Sequence, residues 1–526
     1  MKALKKELSF LYEQFYLYLL YIIRHPLSAL FMLAGILACF LPYAFATDYY
    51  VDSEVVINIP GTSYNWLEIG RYGLVFTRKL LGTEWYNPYY TGILLILFLW
   101  LTGMTFSYVA SKLFVHLHPA ITVLSGLILI TYPTFTEQYY FHFQSAEIAF
   151  GLWLSMLAAG LFTLFIREGR ISCFVISLPV YVLTFSIYQS FVPLTLCTYL
   201  GIFLSQIMRK DASAAILKRG IAGSILHFFA AFILSQSIDK LFFPTSGYLN
   251  DQVIWTSGVS FWEALFSVLE ACARMFVGKG VFYTAVLPVA IISAIFAFRC
   301  LKNLPTYQLV LGILSAMGIA ATPFILTLLM AGETAIRSQF TYSLAAVFLL
   351  LFGMDTMIAY KYRPFLKYAW VALLTVVMVS QLLTVRFIWK AHQYVSDYDR
   401  TTATEILEMM YDSHIICDQI APIFWGYLQP ESPYDEMLIG SPSYLFTSVF
   451  NLEHGAEPYC YYSTVRVLGY METMGHTFTI PTHYQQSVSC YIMRREELPA
   501  FPAKGCIFND YQVFTLNLGN SPAYYY

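Results

Sequence analysis

Uninterrupted apolar blocks, each close to 20 residues long, constrain the fold of this chain more than any other feature. A helix needs about 20 apolar residues to cross the hydrocarbon core of a bilayer. Hydrophobic residues make up 58% of the sequence and charged residues only 12%, whereas roughly a quarter of a typical soluble domain is charged. Most of the chain must therefore avoid water, and the sequence predicts an α-helical polytopic membrane protein.

The apolar blocks predict about eleven transmembrane helices. Lys and Arg residues concentrate in every second connecting loop, and such residues are in excess in cytoplasmic loops. This pattern predicts a cytoplasmic N-terminus and places the residues after the last span outside the cell. We predict the spans at 27–46, 91–111, 119–133, 147–166, 171–188, 191–208, 220–241, 281–298, 306–330, 340–359 and 367–388.

Composition predicts three regions along the chain. Residues 1–26 are basic and amphipathic, which is typical of a helix that lies on the cytoplasmic interface. Residues 27–390 form the predicted transmembrane domain, and 391–526 form a predicted extracytoplasmic domain. Ala44-Phe45-Ala46 has the small residues of a signal-peptidase site, but the long region before it and the many later spans favour an uncleaved anchor.

The polar tail, 391–526, is interpreted as a small α/β or α+β domain. Runs at 490–493 and 511–516 predict strands, and 401–420 predicts an amphipathic helix. Cysteines in an exported domain can form disulfides. Three pairings, and also unpaired thiols, remain open for Cys417, Cys460, Cys490 and Cys506.

The first external loop, 47–90, begins with three carboxylates directly after a predicted span. These are Asp48, Asp52 and Glu54. A carboxylate held partly out of water at the edge of a membrane can act as a general base, whereas solvation of the loop is the alternative role. The stretch 66–76 then predicts an amphipathic helix along the membrane surface, an arrangement that suits a lipid-linked substrate.

The order of these features resembles the GT-C glycosyltransferases, which combine an acidic first external loop, many spans and an exported C-terminal domain. Four short motifs resemble the GtrII-type glucosyltransferase family more narrowly. They are Asp52-Ser53-Glu54, Gly70-Arg71, Tyr188-Gln189 and the run 501–505, Phe-Pro-Ala-Lys-Gly. The resemblance implies a membrane enzyme that moves a hexose, glucose or a related sugar, from a polyprenyl-phosphate carrier. The acceptor would be a surface polysaccharide or teichoic-acid-like glycan on the outer face of a bacterial plasma membrane.

Transfer from a lipid phosphate requires a base and cations. A carboxylate must take the proton of the acceptor hydroxyl as it attacks the anomeric carbon, and the resemblance implies Asp52, with Glu54 or Asp48 as neighbour or substitute. Cations must meet the charge that develops on the leaving phosphate. The external-side candidates are Arg71, Arg274, Lys279 and Arg337.

Each of the remaining candidates has a structural alternative. Arg337 could instead pair with Glu333, four residues before it. His142 and Glu147 are candidate sugar or acceptor ligands in an aromatic loop, or incidental members of an aromatic belt at the membrane surface. Gln189 is either a turn residue or a hydrogen-bonding group of the site.

Several other functions are disfavoured by the sequence. The net charge of -2 provides no basic field for nucleic acid. No Cys-x-x-Cys or His-Glu-x-x-His pattern indicates zinc, and the resemblance implies no obligatory metal, although the carboxylates could bind Mg²⁺ or Mn²⁺. A flippase or transporter of a lipid-linked glycan, or a sensor with an exported ligand-binding domain, remains the alternative.

Overall fold

The computed structural model of this chain divides into two compact units. The helical unit consists of Met1–Ala46 and Ser63–Phe387, and the tail unit combines Thr47–Thr62 with Ile388–Tyr526. Part of the acidic loop 47–90 therefore belongs to the same unit as the C-terminal tail. The structure describes residues 2–49, 52–59, 61–209, 212–243, 253–256, 259–278, 280–301, 304–332, 334–359, 365–413, 421–441, 443–452, 461–509 and 513–520.

Helices dominate the described residues. In chain order the helices and strands are α1 (Lys2–Arg24), α2 (Pro26–Ala44), α3 (Ser53–Asn58), α4 (Tyr72–Leu81), α5 (Pro88–Leu113), α6 (Pro119–Ile130), α7 (Phe135–Tyr140), α8 (His142–Glu168), α9 (Ile171–Ile187), α10 (Phe191–Ile207), α11 (Ala214–Lys218), α12 (Ser224–Phe242), α13 (Phe261–Val277), α14 (Val286–Cys300), α15 (Thr306–Ala321), α16 (Ile325–Met330), α17 (Thr341–Ala359), α18 (Phe365–Asp412), β1 (Pro422–Gly426), α19 (Asp435–Leu438), α20 (Tyr461–Thr473), α21 (His483–Arg495), β2 (Ile507–Asn509) and β3 (Phe514–Gly519).

Among the described residues, seven helical segments are long and apolar enough to cross a membrane. They are Pro26–Ala44, Pro88–Leu113, His142–Glu168, Ala214–Phe242, Thr306–Met330, Thr341–Ala359 and Tyr368–Asp412. The shorter helices α6, α9, α10 and α14 are also apolar. The chain is thus a mainly helical polytopic membrane protein, as its apolar blocks predict, while the count of eleven spans stays a prediction.

Helix α17 is the most enclosed of the seven segments. In its apolar stretch 83% of the residues are buried, compared with 17% in the segment Ala214–Phe242. Helix α17 packs on α10 and α14, whereas the segment Ala214–Phe242 leaves apolar side chains exposed, as lipid contact requires. Close approach elsewhere depends on small residues: a Cβ at Gly92 would lie 1.7 Å from the carbonyl oxygen of Ala44.

Helix α18 begins in the helical unit and ends in the tail unit. It has 48 residues, and at 1.5 Å per residue it is about 72 Å long, more than twice the thickness of a hydrocarbon core. Its apolar first half corresponds to the predicted last span. The part from Ile388 onward belongs to the tail unit and is polar enough to lie in water.

The tail unit also contains a three-stranded sheet. Its strand order is β1-β3-β2, with β1 parallel and β2 antiparallel to β3. The end of α18, helix α20 and the sheet enclose an apolar core that includes Ile406, Met410, Phe424, Leu468 and Phe514. Helix α20 also packs against α3, which belongs to the loop.

Three local predictions differ from the structure. The run 490–493 lies in helix α21, whose first turn is closed by a capping box between Thr482 and Gln485, so end capping outweighs the apolar run. The amphipathic helix predicted at 401–420 is the end of α18, and 414–420 lie outside the described residues. The surface helix predicted at 66–76 is interrupted at Gly70, where φ is +75°, so a 3₁₀-helix ending at Ile69 and α4 replace it.

Two of the four cysteines in the tail are unpaired thiols, one of the alternatives that the sequence left open. Cys490 and Cys506 are free and buried. Cys417 and Cys460 lie outside the described residues.

Candidate functional site

The acidic loop presents Asp52 through an unusual backbone conformation. Asp52 directly precedes α3 and has a φ of 68°, in the left-handed region. A residue with a side chain adopts that region at an energetic cost, and such positions concentrate at functional sites. The conformation turns the chain sharply before α3, so that Asp52 and Glu54 approach the same partner.

That partner is Arg466 on helix α20. Its Nη2 lies 2.7 Å from Oδ1 of Asp52, and its Nη1 lies 2.5 Å from Oε1 of Glu54. The two carboxylates differ in exposure, because the side chain of Asp52 is 47% exposed and that of Glu54 only 5%. Asp52 can therefore meet a substrate in water, whereas Glu54 is enclosed.

Close packing of α3 on α20 makes this geometry possible. Nδ2 of Asn58, at the end of α3, donates a hydrogen bond of 2.8 Å to the carbonyl oxygen of Gly469. A Cβ at position 469 would lie 3.0 Å from Cγ of Glu54, which is closer than most contacts of real Cβ atoms. The missing side chain of Gly469 thus leaves the space that Glu54 needs to reach Arg466.

Burial changes the pKa of Glu54, and the cavity beside this side chain is small. Burial raises the pKa of the Glu54 carboxyl, and the Arg466 guanidinium offsets this effect only in part. Glu54 also borders a cavity of about 30 Å³, enclosed partly by Tyr49, His392 and Asp399. A cavity of this size holds about one water molecule, so it cannot hold a hexose.

The third predicted carboxylate, Asp48, contacts helix α18. Its Oδ2 accepts a hydrogen bond from the side-chain amide of Gln393 on α18. The structure therefore pairs Asp52 with Glu54 and gives Asp48 a different neighbour.

In the helical unit, two of the short sequence motifs come together. Nε of Arg71 donates to Oε1 of Gln189 at 3.3 Å, and the guanidinium lies over the ring of Tyr188, 4.4 Å from its centre. Nε2 of Gln189 donates to the carbonyl oxygen of Ile69 at 2.7 Å. A Cβ at Gly70 would lie 3.1 Å from Oδ2 of Asp239, so glycine permits this close approach. Gln189 is both a residue between two helices and a hydrogen-bond partner of a cation.

Arg337 pairs with Glu137, a residue that was not among the sequence candidates. Its Nη1 lies 3.7 Å from Oε1 of Glu137, and its backbone N–H donates to Oε2 at 3.0 Å. The carboxylate is nearly enclosed, with 2% of its side chain exposed, while 21% of the Arg337 side chain is exposed. The alternative partner, Glu333, lies outside the described residues.

Glu147 is fully enclosed in the helical unit. Its Oε1 accepts a hydrogen bond from the hydroxyl of Thr83, and it interacts electrostatically with the buried guanidinium of Arg78. Nη1 of Arg78 donates to the carbonyl oxygen of Phe143. Both side chains are buried, so Glu147 is not accessible to a sugar in this conformation.

The remaining candidates are His142, Arg274 and Lys279. His142 is the buried first residue of α8, and its ring centre lies 6.1 Å from that of Tyr140. Arg274 lies in the last turn of α13. Lys279 lies outside the described residues.

Sequence reasoning missed Arg466, Glu137 and Arg78. Arg78 follows the predicted surface helix and Glu137 stands in the aromatic loop, so both carried the signal of a charge beside a span. Arg466 carried no such signal, because it lies in a polar tail where arginines are ordinary.

Metal ligands are not assembled in the described part of the chain. It contains no group of three or more His, Cys, Asp or Glu residues that could hold a metal ion. At the carboxylate pair, the guanidinium of Arg466 occupies the place between the two acids.

Comparison with known proteins identifies a family. The family model described as glucosyl transferase GtrII matches residues 41–354, more than half of the chain. The matched range contains Asp52, Glu54 and the contacts of Arg71 and Arg337, whereas Arg466 lies outside it. No curated protein matches the chain.

Proposed function

This chain belongs to the glucosyl transferase GtrII family, and we propose that it transfers a hexose from a polyprenyl-phosphate carrier to a cell-surface glycan. The family supports the glycosyltransferase activity, and the membrane helices support a lipid-linked donor, because such a carrier is confined to the bilayer. One structural observation carries the assignment of the site: Asp52, which lies inside the family's matched range, has a half-exposed carboxylate that is held 2.7 Å from Arg466.

In the proposed reaction, Asp52 is the general base. It takes the proton of an acceptor hydroxyl while the hydroxyl oxygen forms a bond to the anomeric carbon of the sugar. The bond from that carbon to the phosphate oxygen breaks, and its electron pair remains on the polyprenyl phosphate. Glu54, enclosed and bound by Arg466, is the less accessible of the two acids, and Asp48 contacts Gln393 instead.

Cationic side chains would bind the phosphate of the donor. Positive charge stabilises the negative charge that grows on a leaving phosphate. Arg71 and Arg337 support this role, because each is already oriented by a polar partner in the helical unit. Arg274 and Lys279 are further candidates, and His142, Glu147 and Gln189 are the proposed sugar or acceptor ligands.

The proposed topology follows the basic loops. We place eleven spans in a bacterial plasma membrane of GT-C architecture, with the N-terminus in the cytoplasm and the tail unit outside. The reaction then takes place on the extracytoplasmic face, where a surface glycan or teichoic-acid-like acceptor is available. No metal is proposed as obligatory, because a single phosphate leaving group carries less charge than a diphosphate.

The test uses membranes that contain the full chain and their own acceptors. Polyprenyl-phosphate glucose labelled with tritium is added, and the label that enters membrane-bound glycan is measured. Asp52→Asn should abolish incorporation, because an amide cannot take the proton. The matched control is Asp397→Asn, which alters an exposed carboxylate of the same unit, paired with Arg400 at 2.6 Å, and should retain full incorporation.

Two results would overturn the proposal. Full incorporation in Asp52→Asn, at an unchanged amount of protein in the membrane, rejects Asp52 as the base. The absence of incorporation by the wild-type protein, when cells with and without it also have the same surface-glycan composition, rejects the transferase activity itself.

A further inference from the structure

Arg466 joins the two carboxylates through separate nitrogen atoms of one planar group. Nη1 binds Glu54 and Nη2 binds Asp52. The five N–H donors of a guanidinium have fixed directions, so the position of one acid determines where the other is held. Arg466 therefore couples the placement of Asp52 to that of Glu54.

The environments of the two acids give them unequal roles in this coupling. Glu54 is 5% exposed and packs directly over Gly469, so its position is fixed by the surrounding tail unit. Asp52 is 47% exposed, and an exposed acid keeps rotational freedom unless a partner restrains it. Glu54 thus anchors the guanidinium, and the guanidinium restrains Asp52.

Other titratable groups line the same small cavity as Glu54. His392 and Asp399 approach from α18, Tyr470 from α20 and Tyr49 from the loop. Arg466 is the cation that contacts both acids directly.

We propose that Arg466 is a positioning residue, which holds Asp52 in the orientation required to take the proton of the acceptor. This inference rests on the proposed function and adds to it, because Arg466 lies outside the range matched by the family. In this proposal, the C-terminal tail orients the base through Arg466, and Glu54 anchors the Arg466 guanidinium. Arg466 itself does not contact the donor.

The geometry predicts a specific kinetic effect. Loss of the guanidinium leaves Asp52 free to rotate away, and a misplacement of about 1 Å can reduce a rate by about 100-fold. Arg466→Gln should therefore lower kcat by about 100-fold and leave the KM for polyprenyl-phosphate glucose unchanged. Arg466→Lys keeps the charge but offers a single point of contact in place of a fork, so its kcat should lie between those of Arg466→Gln and the wild type.

The measurement is incorporation of labelled glucose at a series of donor concentrations, in membranes with equal amounts of full-length protein. The matched control is Arg400→Gln, which removes an arginine whose side chain is 64% exposed in the same unit and should leave kcat unchanged. A tail fragment as resistant to protease as in the wild type shows that each variant is folded. Added guanidinium ion should raise the kcat of Arg466→Gln, since it can occupy the vacated place between the acids.

The outcomes separate this inference from the proposed function. Wild-type kcat in Arg466→Gln, when Asp52→Asn is inactive, overturns the positioning role and leaves Asp52 as the base. A raised donor KM at unchanged kcat also overturns it, because that result makes Arg466 a ligand of the donor. If Arg466→Gln does not fold, Arg466→Lys decides alone, and a wild-type kcat in that variant rejects the inference.

Discussion

Nη1 of Arg466 lies 2.5 Å from Oε1 of Glu54, although 412 residues separate the two in the chain. This contact joins the start of the acidic loop 47–90 to helix α20, near the C-terminus. It explains why residues 47–62 belong to the tail unit and not to the helical unit. The proposed base, Asp52, thus belongs to the loop, and its proposed positioning residue, Arg466, belongs to the tail.

Packing at Gly469 can be tested by filling the space above it. A Cβ there would lie 3.0 Å from Cγ of Glu54, and Glu54 is held by Arg466. Overpacking costs about 1–3 kcal/mol, while alanine gains about 1 kcal/mol over glycine inside a helix, so Gly469→Ala should destabilise the tail unit by the difference, at most about 2 kcal/mol. Pulse proteolysis of the full chain in urea, read on fragments of the tail, measures the change. In a double-mutant cycle with Glu54→Ala the two changes should be less than additive, and strict additivity would show that the two positions do not contact.

Asp399 predicts how the stability of the tail unit depends on pH. It lies in the part of α18 that belongs to the tail unit, and burial raises the pKa of its carboxyl to about 7, while hydrogen bonds from Ser448 and Val449 oppose the rise. A raised pKa means that the folded state binds the proton more tightly than the unfolded state, so the stabilising contribution is complete below about pH 4. It decreases as the pH rises to about 7, by up to about 1.4 kcal/mol per pH unit.

The variant that checks this pH dependence is Asp399→Asn, because the amide remains uncharged at every pH. Pulse proteolysis between pH 4 and pH 8 should give a flatter dependence for the variant than for the wild type. An equal slope in both proteins would assign the effect to other groups.

The roles of Arg337 and Glu137 can be distinguished by measuring the donor KM and the thermal stability of variants at each position. Arg337→Ala should raise the KM for polyprenyl-phosphate glucose, because it removes a proposed phosphate ligand. Glu137→Gln should leave that KM closer to the wild-type value, since the amide oxygen can still accept from the Arg337 backbone N–H. Equal losses of thermal stability in both variants, with donor KM unchanged, would make the pair purely structural.

Because the charged side chains of Arg78 and Glu147 are both enclosed, we expect their contributions to the stability of the protein to be strongly coupled. Removal of one partner leaves the other charge buried without compensation, at a cost of about 3–5 kcal/mol. Arg78→Met and Glu147→Leu should each lower the Tm of the purified protein, and the double variant should lose less than the sum. Additive losses in thermal unfolding would contradict an energetic coupling between these charges.

Membrane orientation is testable with introduced cysteines at exposed positions. Glu436→Cys, in the tail unit, should react with an impermeant maleimide added to intact cells, because the tail is proposed to lie outside. Ala214→Cys, at the start of α11, should react only after the membrane is permeabilised. The opposite pattern would reverse the proposed topology.

Some of this architecture was predictable because it depends on local composition. Apolar blocks of bilayer length predict membrane helices wherever they occur, and the structure confirms a mainly helical polytopic protein. The short motifs around Asp52, Gly70-Arg71 and Tyr188-Gln189 indicated the GtrII family, which the match over 41–354 confirms. The predicted strand at 490–493 was wrong, because capping by Thr482 and Gln485 decided the local structure.

By itself, the sequence determined the membrane character, the family and the presence of an acidic loop, since each follows from residues that are neighbours in the chain. Only the tertiary structure decided which charges meet. Pairing of Arg466 with Asp52 and Glu54 depends on the packing of α20 against α3, and pairing of Arg337 with Glu137 spans 200 residues. Such contacts are set by the positions of packed elements in space, which no local pattern of residue types encodes.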